Sequence, residues 1–192
     1  MAGGIEVDVT ELRELADKMA AFPKQSNQAM ARALNDGIKR VQTDIVKETQ
    51  QEYTVKGPQI KKTMTVKRAT ASKLIASVNS NDKRIKLGSF KFTYARNKQR
   101  SPVKVQIKKG GAKLSTSKPA MFAGQSRATG RKEVFRRTEG GAYKIEYPFT
   151  LSIPQMIANP DVYKRIANDA HPYVAQRMEH HLNYYISKYL SK

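Results

Sequence analysis

Residues 23–53, PKQSNQAMARALNDGIKRVQTDIVKETQQEY, decide the fold. Ala29/Met30, Ala33/Leu34, Ile38, Val41 and Ile45 recur at steps of three and four, which gathers them on one face of a helix. Lys39, Arg40, Asp44, Lys47 and Glu48 fall on the other side. Pro23 suits a first helical position, where its missing N–H costs nothing. The spacing therefore predicts an amphipathic helix over 23–53, about 45 Å long at 1.5 Å per residue. Gly37 lies inside it and costs roughly 1 kcal/mol relative to alanine, so a close neighbour is expected at that point.

Upstream, Ile5, Val7 and Val9 alternate with Glu6 and Asp8, as in a short strand with one buried face. Thr10 followed by Glu11 and Glu14 reads as an N-cap and acidic first turn. The helix it opens carries Leu12, Leu15, Met19 and Phe22 on one side. Downstream, Gly57-Pro58 breaks the long helix and can start one more turn through Ile60 and Met64. The period then becomes two. Residues 66–69, 74–78, 85–87, 90–94 and 103–107 are candidate strands in which lysine often alternates with Val, Ile or Phe. One sheet face then packs on a helix while the other presents ammonium groups. Val134-Phe135 and residues 143–153 give two more strands, joined through Glu139-Gly140-Gly141.

Residues 97–102 and 110–119 are too rich in Lys, Ser and Gly to pack, which predicts a long mobile basic arm around 96–119. Asn159 or Asp161 can cap a closing helix with Val162, Ile166, Ala170, Val174, Met178, Leu182, Tyr185 and Tyr189 at regular spacing. Pro172 within it predicts a kink or break. The expected fold is α+β: a mainly antiparallel twisted sheet on a long amphipathic helix, with a C-terminal helix and a basic extended arm. Residues 1–192 read as a single domain: N-terminal strand and helices (1–55), a basic β-rich region (56–153) and a helical segment (154–192).

Charge is distributed unevenly. The 192 residues hold 36 Lys/Arg and 16 Asp/Glu, a net +20. Residues 1–55 carry 7 basic and 9 acidic side chains and residues 138–192 carry 6 and 5, so residues 56–137, with 23 and 2, hold the whole excess. A field so concentrated attracts phosphates or acidic protein faces. Lys86, Lys91, Arg96, Lys98, Arg100, Lys104, Lys108, Lys109 and Lys113 are the candidate electrostatic contacts. Arg131, Arg136 and Arg137 follow as second choices that can instead make fixed internal bonds.

Catalytic patterns are missing. There is no cysteine, which excludes disulfides, zinc–thiolate sites and thiol nucleophiles. His180 and His181 are adjacent and diverge by about 100° on a helix, so they are not a metal pair. His180 is expected on the polar side and His181 at the edge of the apolar stripe. No phosphate-binding glycine loop or nucleophile elbow occurs. The reading is a protein with no enzyme activity, no cofactor and no metal. No apolar run nears the ~18 residues of a membrane span, and the first residues lack a signal-peptide pattern, so a soluble protein made in the cytoplasm is expected.

Phe90, Phe92 and Tyr94 interleave with basic residues, as stacking platforms for single strands would. Spacing two equally places all three on the core side of one strand. A sequence-independent nucleic-acid binder that contacts phosphates is thus the competing function.

The succession of short pieces resembles the minor tail protein Z family of lambda-like phages and prophages. The pieces are Lys67-Arg68-Ala69-Thr70, Ile85-Lys86-Leu87-Gly88, Pro119-Ala120-Met121-Phe122, Gly130-Arg131 before Val134-Phe135-Arg136-Arg137, Ile153-Pro154-Gln155-Met156, and Pro172 followed by Glu179-His180-His181-Leu182. Their order holds from about residue 23 to the C-terminus, while the arm and the N-terminal strand and helix match less. The resemblance implies a virion component at the tail neck, a tail completion protein needed to join tail to head. It implies a ring around the DNA channel, six-fold by similarity to other neck proteins. Its partners would be itself, the tail tube, terminator or head-connector proteins, and DNA phosphates in the channel, with no membrane.

Overall fold

The computed structural model describes residues 23–94, 103–115, 120–138 and 144–190. The expected N-terminal strand (5–9) and first helix lie outside them, as do residues 95–102, 116–119 and 139–143.

The long helix forms as its periodicity dictates. Helix α1 spans Pro23–Glu52, and α2 (Gly57–Thr63) follows with Pro58 in its first turn. Nine short strands come next: β1 (Met64–Lys67), β2 (Ser77–Ser80), β3 (Arg84–Lys86), β4 (Lys91–Thr93), β5 (Lys104–Gln106), β6 (Met121–Gln125), β7 (Lys132–Arg137), β8 (Ile145–Glu146) and β9 (Phe149–Ser152). Helix α3 (Ile153–Ile157) and α4 (Pro160–Leu190) close the described chain. The fold is α+β, but the strands make four small antiparallel ladders, β1–β2, β3–β9, β4–β5 and β6–β7–β8. A single broad sheet was the expectation. Strands of two to six residues, separated by turns, offer too few pairs for a continuous ladder.

Three other expectations change. Residues 121–125 form a strand that periodicity did not mark, because Met121, Phe122 and Ala123 are apolar in sequence rather than alternating. Residues 143–153 do not form one strand: Tyr147-Pro148 separates β8 from β9. Helix α4 runs through Pro172 without a break.

Helix α1 packs chiefly on α4 rather than on the strands. The two lie antiparallel, since Gln28 meets Tyr185 (3.3 Å), Asp36 meets Arg177 (2.8 Å), Glu48 meets Arg165 (2.8 Å) and Asn159 donates to the Tyr53 hydroxyl (2.9 Å). Ala29 and Ala33 face Met178, Leu182 and Tyr185 at one end. At the other end Ile38, Val41 and Ile45 join Ile60, Val103, Val105, Val134, Met156, Val162 and Ile166 in one apolar cluster. Gly37 lies between these zones. A Cβ built there would stand 2.4 Å from Cγ2 of Val174, which is the close neighbour the glycine predicts.

Two caps follow from sequence. Asn159 Oδ1 accepts from the Asp161 N–H (3.0 Å) at the start of α4. Ser152 and Gln155 make a reciprocal capping box on α3, with the Ser152 N–H donating to Gln155 Oε1 (2.9 Å). Asn35 ties α1 to the segment after β1 by bonding both the N–H and the carbonyl of Ala69, each at 2.9 Å.

Candidate functional site

The basic segment that follows Pro102 does not extend freely over its described part. Val103 and Val105 are fully buried, and Leu114 folds back to exchange two backbone hydrogen bonds with Val105 (2.7 and 2.8 Å). The Thr54 N–H donates to the Ile107 carbonyl (2.9 Å), the Lys109 N–H donates to the Glu52 carbonyl (2.8 Å), and the Thr54 hydroxyl bonds the Gln106 carbonyl. These bonds clamp residues 103–115 to the C-terminal end of α1. The expected arm over 96–119 is therefore docked from 103 to 115, because its alternate valines find the core. Arg96, Lys98 and Arg100 lie outside the described residues.

Docking brings the segment beside β4 and β7. The turn Leu87–Ser89 places Gly88 so close to β7 that a Cβ would stand 3.0 Å from the Val134 nitrogen and 3.3 Å from Glu133 Cα. Between these elements runs a trough. Its widest part, about 740 Å³, is lined by Lys56, Lys86, Lys91, Arg131 and Lys132, with Pro58, Phe90 and Phe92 as its apolar surface. Glu133 is the one acid in the lining. Lys56 and Lys91 also line the next depression, with Tyr53, Gln106 and Lys109. Lys109 in turn borders a third with Lys47 and Lys61. Phe92 and Lys132 continue the other end toward Tyr94. Shared walls make these one electropositive channel along the surface.

The lining cations differ in their freedom. Lys86 is committed: its Nζ lies 3.3 Å from Glu133 Oε2 and 3.3 Å from the centroid of the Tyr147 ring. Lys47 lies 3.5 Å from Glu48 Oε1. Lys132 bonds the Tyr94 hydroxyl, which is neutral. Among the described residues no carboxylate stands within ion-pair distance of Lys56, Lys61, Lys91, Lys109, Arg131 or Lys132, so most of the charge faces solvent.

Of the twelve sequence candidates, Lys86, Lys91, Lys109 and Arg131 meet in this channel. Lys108 turns away to Glu52 (3.2 Å), and the hydrogen bond from that carboxylate, with its charge and that of nearby groups, raises the ammonium above the ordinary lysine value. Arg136 is held by the Glu146 carboxylate, the fixed bond allowed for it. Arg137 lies over the Phe122 ring, 5.7 Å from its centroid. Lys104 and Lys113 are exposed on β5 and beyond the turn. Sequence reasoning missed Lys56 and Lys132. Lys56 precedes the Gly57-Pro58 break, so its place depends on how α2 turns, and Lys132 reaches the channel only through the β6–β7 pairing.

The interleaved aromatics are core residues: Phe90 is 4% exposed, and Phe92 and Tyr94 are half-buried against the main cluster. His181 is half-buried at the apolar edge, 2.9 Å from Asp36 Oδ2, and His180 is exposed. Burial alone would raise the Asp36 carboxyl, but hydrogen bonds from His181 and Arg177, with their charges, outweigh it and hold Asp36 below its ordinary value. Among the described residues no three His, Asp or Glu side chains gather as a metal site, and no helix is long and apolar enough to cross a membrane.

The sequence model of the family described as prophage minor tail protein Z matches residues 4–192, so the chain belongs to that family. Membership makes it a structural component of a phage tail and hence of the virion. No curated protein and no solved structure matches it.

Proposed function

We propose that this phage tail protein completes the tail, forming a ring at its upper end around the DNA channel and joining it to the head without any enzymatic step. One observation carries the reading: the charge excess of the β-rich middle is gathered into a channel of largely unpaired cations on a body locked by the α1–α4 pair. A merely solubilising surface would intersperse both signs, whereas a docking surface concentrates one. The body behaves as a single domain in this role, with the helix pair as a rigid wedge and the channel as its contact face. Six copies are the symmetry we assign, with tail-tube, terminator or connector proteins above and below.

Electron microscopy of tails made with and without the chain tests this. Tails carrying a labelled chain should show it at the end that meets the head, and tails lacking it should accumulate without joining heads. A label at the opposite tip, or normal particle yield without the chain, would refute the proposal. A chain that held free duplex DNA tightly at physiological salt and left tails unaffected would establish the nucleic-acid binder instead.

A further inference from the structure

We propose that the channel is filled by the acidic N-terminal segment of a second copy of this chain, so that each subunit docks its first residues on the next. The inference rests on the reading that the chain assembles with itself. It adds which surfaces make the link.

Charge complementarity is the first argument. Residues 1–22 hold Glu6, Asp8, Glu11, Glu14 and Asp17 against Arg13 and Lys18, the reverse of the channel, where Lys56, Lys91, Arg131 and Lys132 find no carboxylate among the described residues. Pattern is the second. Residues 5–9 alternate Ile5, Val7 and Val9 with Glu6 and Asp8, so a strand there has one apolar and one acidic side. The channel offers both surfaces, with Phe92 and Pro58 among the cations. Its width suits one extended strand, whereas a DNA duplex, about 20 Å across from the groove dimensions, would touch only its rim.

Reach selects a second copy over the same one. Residues 1–22 join the body at Pro23, the start of α1, whereas the channel lies beside and beyond that helix's far end, from Lys47 onward. The intervening 24 residues of helix measure about 36 Å at 1.5 Å per residue. A helix over 10–22, as the sequence predicts, spans about 20 Å, and a strand over 5–9 adds about 17 Å. Even aimed straight down the axis, only the tip of the strand meets the near end of its own channel, and the widest part stays out of reach. A neighbour's channel carries no such restriction. Each subunit then gives one segment and accepts one, a head-to-tail link that closes as a ring.

The chain has no cysteine, which makes site-specific cross-linking clean. Asp8→Cys and Arg131→Cys full-length variants are mixed and treated with a short bismaleimide, with Asn168→Cys on the exposed side of α4 replacing Arg131→Cys as control. The expected result is a two-chain adduct in the Asp8/Arg131 mixture that the control mixture lacks. It should disappear when the second chain also carries Lys91→Glu and Lys132→Glu, and return when the first then carries Glu6→Lys and Glu11→Lys. Return of the adduct by charge swap separates docking from misfolding. An adduct confined within one chain when both cysteines are on it, no adduct in the mixture, or protection of the Arg131→Cys thiol by duplex DNA or tail tubes but not by a second copy would overturn the inference. A chain located at the tail's upper end that gives no inter-chain adduct overturns this link alone, whereas an adduct from a chain absent at that end overturns the tail-completion reading and leaves the link standing.

Discussion

Replacing Gly37 by alanine should destabilise the protein, against the usual rule for a glycine in a helix. In an isolated helix the change gains about 1 kcal/mol. Here the added Cβ would stand 2.4 Å from Val174 Cγ2, well inside van der Waals contact, and Val174 is 1% exposed. A valine on a helix has one strongly preferred rotamer, so it cannot swing aside, and α1 must lift from α4. Overpacking of this kind costs about 1–3 kcal/mol, toward the upper end for a stiff neighbour. The net is a loss of about 1–2 kcal/mol, or a melting temperature lower by about 4 °C for a chain this size. Val174→Ala alone should cost about 2–3 kcal/mol through lost burial and a residual cavity. In the Gly37→Ala/Val174→Ala double variant the new methyl enters the vacated space and the helical gain reappears. Its loss should be about 1 kcal/mol, a coupling of roughly 2–3 kcal/mol relative to additivity. Urea melts followed by far-ultraviolet circular dichroism on the four proteins measure this. If Gly37→Ala stabilises by its full helical increment, or the two changes add, the close approach of α1 and α4 at this level is wrong.

Three further outcomes are expected. Glu48 is 3% exposed and bonds Arg165 at 2.8 Å, so Arg165→Met should lower stability by about 3 kcal/mol, as loss of one partner strands a buried carboxylate; Lys47→Met should change the urea midpoint little, because that lysine is exposed. Asp36 has its carboxyl lowered from the ordinary 3.8, so its contribution is full above that pH and is lost as pH falls through the lower folded value; Asp36→Asn should flatten the acid limb of stability measured between about pH 2 and 6, and an unchanged limb would refute the assignment. Glu133→Gln removes the one acid of the channel lining and frees Lys86 from its 3.3 Å partner, so self-association measured by sedimentation should strengthen at low salt and fall more steeply as salt rises.

Helical features were legible in the sequence because their signals are local. The apolar steps from Ala29 to Ile45, the Pro58 start of α2 and the Asn159 cap each depend on residues within a few positions of one another. The glycine at 37 also announced a neighbour, though not that the neighbour would be Val174, 137 positions away. Strand partners were not legible. Nothing local states that β3 pairs with β9 or that β7 takes β6 and β8, and those pairings bring Arg131 and Lys132 beside Lys86 and Lys91. Composition placed the charge in the middle of the chain, yet which lysines remain free depended on where the few carboxylates landed. Glu52 took Lys108, Glu146 took Arg136, and Lys56 and Lys132 were left without a carboxylate.

The unpaired cations are inexpensive for the isolated fold, which is what allows the channel to persist for a partner. Two unit charges 8 Å apart in water repel by about 0.5 kcal/mol before screening, and at physiological salt the Debye length is itself about 8 Å. The exposed lysines of the channel therefore contribute tenths of a kilocalorie each to the stability of the free chain, whereas docking an acidic strand engages all of them at once with water partly excluded. Stability and assembly should separate accordingly. Charge reversal at Lys56, Lys91, Arg131 or Lys132 should leave the urea midpoint within about 0.5 kcal/mol of the parent, as surface substitutions do, while removing incorporation into tails. Gly37→Ala and Arg165→Met should do the opposite at low temperature, weakening the fold while surviving molecules still assemble. If the channel reversals unfolded the protein instead, its cations would be structural, and the case for an acidic partner would fall with them.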